Sequence, residues 1–88
     1  MRGQVALVRE QGVNFAVVVV KSTVIHGSKS KKDDLVQSFS VEFGVPSVLM
    51  AQDSRGRPTY YGRPDIVRFL SNVLPQRLPW RDFTLTAA

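Results

Sequence analysis

The sequence predicts a single α+β domain, residues 1–88, in which a mixed β-sheet carries two helices. Three observations support this fold class. A run rich in β-branched residues covers 13–25, an amphipathic stripe follows within 30–43, and a strand–turn–strand–helix unit occupies 45–73. Together with a short first strand and a short last one, these segments give the order ββ-α-ββ-α-β, which is typical of the α+β class. A chain of 88 residues forms one core.

The first two strands are predicted to form a hairpin. Residues 4–9 alternate loosely, with Val5, Leu7 and Arg9 on one face and Ala6 and Val8 on the other. Gln11-Gly12 then offers a tight turn in which glycine takes a positive φ. The return strand is expected over 13–25. Its residues 15–20, FAVVVV, are apolar on both faces, which is typical of a central strand that is covered on both sides.

The first helix is predicted to begin at Ser30 and to end at Phe43. Ser30 and Asp33 have the spacing of a capping box, with Asp where Glu is usual. Gly44 suits the residue that ends a helix, and Pro46 prevents its continuation. The apolar stripe of this helix consists of Leu35, Val36, Phe39 and Phe43.

The second half of the chain predicts a second hairpin, a second helix and a last strand. The expected elements are a strand at 47–52, a turn at 53–56, an antiparallel strand at 57–61, a helix at 64–74 and a last strand at 83–86. Pro58 cannot donate to a ladder, so its strand is expected at a sheet edge. The strands on either side of the first helix are expected to pair in parallel. Both helices on one face would leave the other face open to a partner.

The segment from Gly44-Val45-Pro46 through the 53–56 turn to Gly62 and its helix resembles the C-terminal half of thioredoxin-like domains. The match covers the order of elements over residues 14–74, and it implies a thioredoxin-like arrangement with a candidate cis peptide bond at Val45-Pro46. The redox activity of that family requires cysteine, and this sequence has none. The resemblance therefore implies architecture without thiol chemistry. The pattern is also similar to a small bacterial family that has no activity to transfer.

Composition bears on the ligands and on the cellular location that are expected for this protein. Twelve Lys and Arg against seven Asp and Glu give a net charge of +5, which attracts polyanions. The longest apolar run has six residues, whereas a membrane-spanning helix needs about 20, so no membrane location is expected. The start of the sequence lacks the pattern of a signal peptide. Together with the absence of cysteine, this favours a cytoplasmic location.

The sequence contains no catalytic or metal-binding constellation, so neither an enzyme nor a cofactor is expected. The single histidine, His26, lacks nearby ligands, since Asp33 and Asp34 point about 100° apart on a helix. Two groups remain as candidate binding residues for a nucleic acid or an anion. One is the lysine-rich loop of Ser28, Lys29, Ser30 and Lys31, and the other is the hairpin set of Arg55, Arg57, Tyr60 and Arg63.

The leading functional hypothesis from the sequence is a non-catalytic domain that binds another protein or a copy of itself as a homodimer. It depends on an open sheet face and on a C-terminal edge strand that could pair with a neighbour. The candidate interface residues are Trp80, Phe83 and Leu85. The alternative is nucleic-acid or anion binding through the lysine-rich loop and the hairpin arginines, with a steep dependence on salt.

Overall fold

A computed structural model describes residues 2–10 and 12–84 and has the expected α+β class. Five strands form one mixed sheet, and three helices and one 3-10 turn pack on it. The strands are β1 (Arg2–Glu10), β2 (Val13–Val19), β3 (Ser47–Gln52), β4 (Pro58–Tyr61) and β5 (Trp80–Thr84). The helices are α1 (Ser22–Ile25), α2 (Lys29–Phe43) and α3 (Pro64–Leu70), and the 3-10 turn covers Pro75–Arg77.

The strand order is β4-β3-β2-β1-β5, with β2 at the centre as its doubly apolar sequence predicts. β2 and β3 run parallel, with Val17 opposite Val48, and every other neighbouring pair is antiparallel. Pro58 lies on the edge strand β4, where its missing amide leaves no central ladder incomplete.

The prediction that the second strand continues to residue 25 is wrong. β2 ends at Val19, and residues 22–25 form the helical turn α1. Its Thr23, Val24 and Ile25 have side chains that favour strands, but Ile25 is buried in the core only because the chain turns here. Tertiary packing has overridden the local preference.

The first long helix begins two residues earlier than its sequence signal indicates. Ser28 is the N-cap, and its Oγ accepts a hydrogen bond from the Lys31 amide at 3.3 Å. Ser30 is therefore inside α2 and caps nothing. Gly44 ends α2 with φ of 72°, as predicted. The Val45–Pro46 peptide bond is trans, so the cis bond that the thioredoxin-like resemblance implies is absent.

The helices cover both faces of the sheet, which corrects the expectation that one face stays open. On one face, α3 and the 3-10 turn pack over a core cluster that contains Phe15, Val17, Val48, Met50, Ile66, Leu70 and Leu78. On the other face, α1 and α2 pack over Val5, Ala16, Val18, Ile25, Phe39, Leu49 and Ala51. The protein is a three-layer structure with a sheet in the middle.

The last strand begins earlier than predicted and pairs with the first. β5 starts at Trp80, which lies opposite Ala6, and it reaches Thr84 opposite Arg2. The predicted continuation through residue 86 falls outside the described residues. Pro79 precedes β5 and has no amide to extend the ladder. Among the described residues, Leu7–Glu10 therefore has no strand partner on its outer side. Among the described helices, none is both long and apolar enough to cross a membrane.

Candidate polyanion-binding site

One end of the sheet collects most of the chain's basic residues. β2 and β3 are parallel with Val19 opposite Met50, so their carboxyl ends lie together. Lys21 follows β2, the 53–57 turn follows β3, and α2 starts on the same side. We call this region the basic end. Strand β5 also ends here, with Asp82 opposite Gln4 and Thr84 opposite Arg2. The charged residues of the basic end are Arg2, Lys21, Lys29, Lys31, Lys32, Asp33, Asp34, Asp53, Arg55, Arg57 and Asp82.

The charge of the protein is unevenly distributed between the basic end and the rest. The basic end has seven cations and four carboxylates, a net charge of +3 out of the chain's +5. The rest of the chain has five cations and three carboxylates, a net charge of +2. A field of one sign concentrated at one end attracts a polyanion more strongly than the same charge spread evenly.

Asp33 connects the start of α2 to strand β4. Its Oδ2 accepts a hydrogen bond from Lys29 Nζ at 2.8 Å, and its Oδ1 accepts one from the Tyr61 hydroxyl at 2.5 Å. The bond from Lys29 and then that from Tyr61 lower the pKa of Asp33. The same contacts raise the pKa of Lys29 and of Tyr61. All three groups therefore keep their usual charge at neutral pH.

Lys32 also contacts Tyr61, at the face of its ring. Its Nζ lies 4.4 Å from the centre of the Tyr61 ring and donates to the Ile25 carbonyl at 2.9 Å. The aromatic face is thus already occupied by a cation. Tyr61 holds the lysines in place and does not offer this face to a nucleobase.

Asp53 organises the turn between β3 and β4. Its Oδ1 accepts from the amides of Arg55 and Arg57 at 2.9 Å each, and its Oδ2 accepts from Arg57 Nε at 2.8 Å. These bonds, the Arg57 amide first, lower the pKa of Asp53. Gly56 has φ of 80°, a conformation that glycine adopts without strain. The turn has a defined shape that presents Arg55 outward.

The structure brings together only part of the predicted binding set. Ser28, Lys29, Ser30, Lys31, Arg55 and Arg57 lie at the basic end. Tyr60 does not. It points to the α3 face, and its buried hydroxyl has no hydrogen-bond partner among the described residues. Burial raises the Tyr60 pKa. Arg63 is also elsewhere, since it precedes α3 and bonds Asp65 at 3.0 and 2.6 Å.

Sequence reasoning included Lys32 with the lysine-rich loop and Tyr61 with the hairpin set, but it did not single out Arg2 and Lys21. The parallel pairing of β2 and β3 was predicted, and the carboxyl ends of parallel strands meet at one edge of a sheet. That rule places Lys21 beside the 53–57 turn. Which of the two adjacent tyrosines faces α2 depends on the register of β4, which alternation alone leaves open.

Five cations of the basic end have no carboxylate partner within residues 2–10 and 12–84. Lys32 is half-buried and bonds the Ile25 carbonyl, whereas Arg2, Lys21, Lys31 and Arg55 are exposed. Lys29 and Arg57 are held by Asp33 and Asp53.

His26 ends α1 and is exposed. In the part of the chain that the structure describes, no group of three or more His, Asp or Glu side chains is placed to hold a metal ion. His26 therefore belongs to no such group among the described residues.

The predicted interface residues that the structure describes belong to the fold. The Phe83 ring packs edge-on against Phe39 and Phe43, with centroid distances of 6.1 and 5.5 Å. Trp80 packs partly buried on the α3 cluster, and its Nε1 donates to the Pro75 carbonyl at 2.7 Å. Leu85 lies outside the described residues. Trp80 and Phe83 therefore form internal contacts.

Comparison with known proteins yields no relative for this chain: no family model, no curated protein and no solved structure matches it. The thioredoxin-like resemblance of residues 14–74 stays a prediction.

Proposed function

We propose that this chain is a non-catalytic domain that binds the phosphates of a nucleic acid through the basic end. The observation that carries the proposal is that seven of the chain's twelve cations lie at this one end of the sheet, where the net charge is +3. Neutralising phosphates with Lys and Arg releases condensed counterions, which is the main source of sequence-independent affinity.

The arrangement favours contact with the phosphate backbone over contact with bases. Lys32 covers one face of the Tyr61 ring, and Tyr60 packs on the other side of the sheet. Neither tyrosine resembles the free aromatic platforms on which single-stranded bases stack. We therefore expect little sequence preference and a strong dependence on salt.

The test compares two variants with equal changes of charge. The site variant carries Lys21→Gln, Lys31→Gln and Arg55→Gln, and the control carries Arg9→Gln, Arg68→Gln and Arg77→Gln, three exposed cations outside the basic end. Binding to a fluorescent 20-nucleotide strand and to a 20-base-pair duplex is followed by anisotropy from about 20 to 200 mM salt. Each phosphate contact contributes about 0.7–0.9 to the slope of log K against log salt.

We expect the site variant to lose up to about 2–3 from that slope, and the control to lose much less. Equal losses in the two variants would show that only total charge matters and would contradict a site. No binding by the unchanged protein at the lowest salt would remove nucleic acid as the ligand.

Self-association remains a second candidate function because of the unpaired stretch Leu7–Glu10. Its outer backbone groups have no strand partner beyond Ala6, and the Leu7 side chain is 40% exposed. A second copy could add antiparallel about a two-fold axis through Val8, which pairs Leu7 with Arg9 of the other copy. Size-exclusion chromatography with light scattering tests this. A strict monomer at millimolar concentration would contradict it, and a dimer lost on Leu7→Asp would support it.

A further inference from the structure

A groove crosses the basic end between the start of β1 and the start of α2. It has a volume of about 580 Å³ and is lined mainly by Arg2, Gly3, Val20, Lys21, Val24 and Leu35. This volume falls in the range of about 300–1,000 Å³ that small-molecule sites occupy. We propose that it binds a free medium-chain fatty acid.

The floor and the rim of the groove differ in chemistry. Val20, Val24 and Leu35 supply an apolar floor, and each side chain is only partly buried. An acyl chain laid on them removes apolar surface from water on both partners. The floor comes from the end of β2, from α1 and from α2, so its shape depends on the chain turning into α1 after β2.

The charged groups that line the groove are both cations. Arg2 and Lys21 are exposed on its rim, and neither forms an ion pair with a described residue. Among the residues that the structure describes, no carboxylate lines it. An apolar floor beside two cations is complementary to a molecule with an apolar tail and a single carboxylate, and the guanidinium of Arg2 suits bidentate contact with that carboxylate.

The surroundings favour a free acid over a lipid surface. The large exposed apolar side chains of the described residues are Leu7, Val13, Val41 and Leu74, and none of them lines the groove. A protein that docks on a bilayer needs exposed apolar side chains around its binding site that insert into the membrane–water interface. Here the apolar surface lies in a recess flanked by cations, where a single chain fits.

The ligand differs from the nucleic acid proposed above, although Arg2 and Lys21 serve both. Lys31 and Arg55 lie outside the groove lining, so a nucleic acid would still have contacts if the groove bound nothing. The two proposals can therefore fail separately.

The test is a titration of the full chain, labelled with nitrogen-15, with sodium decanoate below its micellar concentration. We expect amide shifts at Gly3, Val20 and Val24 that saturate together. The Arg2→Gln, Lys21→Gln double variant should weaken the affinity by tenfold or more, whereas Arg68→Gln, Arg77→Gln should bind as the unchanged protein does. Decanol, which lacks the carboxylate, should bind more weakly than decanoate.

Four results would overturn the proposal. The first is that decanoate causes no saturable amide shifts, and the second is that the shifts at Leu74 and Val41 are as large as those in the groove. The third is that the Arg2 and Lys21 double variant binds decanoate with the same affinity as the unchanged protein. The fourth is that the protein binds only to phosphatidylcholine–phosphatidylglycerol vesicles and not to decanoate. All the substituted side chains are exposed, and circular dichroism of each variant checks that the fold is kept. The oligonucleotide titration of the same variants reports separately on the nucleic-acid proposal.

Discussion

At the scale of single residues, Asp33 is a carboxylate that pairs with one of the lysines of the basic end. It holds Lys29 Nζ at 2.8 Å and accepts from the Tyr61 hydroxyl. Both members of the Lys29–Asp33 ion pair are exposed, with 82% and 50% of the side-chain surface accessible, so the pair adds little to stability. Its main effect is to neutralise a cation that would otherwise meet a phosphate.

We therefore predict that Asp33→Asn strengthens nucleic-acid binding more than Asp34→Asn does. Both variants raise the net charge from +5 to +6, but only the first releases Lys29. The released lysine should add about 0.7–0.9 to the salt slope beyond the effect of the control. Anisotropy titrations measure the difference. Equal strengthening in both variants would mean that Asp33 acts only through its charge.

The pH dependence of stability follows from the lowered pKa of Asp53. Its folded pKa lies below the ordinary value of 3.8, because the Arg57 amide and side chain favour the charged form. Its contribution is therefore complete above about pH 4–5 and is lost as the pH falls through the folded pKa. We predict that Asp53→Asn flattens the fall of unfolding free energy between about pH 5 and pH 2. Urea unfolding at each pH measures it, and parallel curves for both proteins would contradict it.

At the scale of elements, the start of α2 separates two serines that the sequence makes nearly equivalent. Ser28 accepts from the Lys31 amide, whereas Ser30 is inside the helix. We predict that Ser28→Ala costs about 0.5–2 kcal/mol of unfolding free energy, as the loss of an N-cap does. Ser30→Ala should change it by no more than about 0.5 kcal/mol. Urea unfolding of both variants measures this, and a larger cost at Ser30 would contradict the assignment.

The sequence predicts most of these elements but not all of their boundaries. Gly44 ends α2 and Pro64 begins α3 as expected, because backbone constraints act locally. The C-terminal end of β2 and the N-cap of α2 were misplaced, because both depend on where Ile25 finds a buried position. A local pattern does not contain that information.

At the scale of the whole molecule, the placement of the helices on opposite faces was open from sequence alone. The signal lay in residues 15–20, which are apolar on both faces and so require cover on both. The helix order is compatible with either arrangement, and only the packing of Ile66 and Leu70 against one face and Phe39 against the other decides it. The charge cluster followed from this arrangement and from the parallel pair, which the sequence did predict.

The pairing of β1 with β5 joins residues 2–6 to residues 80–84, the most distant described segments of the chain. Closing such a long loop has a large entropic cost, so this pair is expected to form late in folding. We predict that Phe83→Ala mainly accelerates unfolding and leaves the refolding rate nearly unchanged. Stopped-flow kinetics in urea measures both rates. A fall in the refolding rate that accounts for the lost stability would contradict the late formation of the β1–β5 pair.

This order also bears on synthesis, since ribosomes add about 5–20 residues per second and N-terminal segments emerge first. β1 is synthesised before β5, so the outer edge of β1 stays uncovered until β5 has been made and pairs with it. During that interval its backbone can pair with another nascent chain. The closing strand thus protects each newly made molecule from its neighbours.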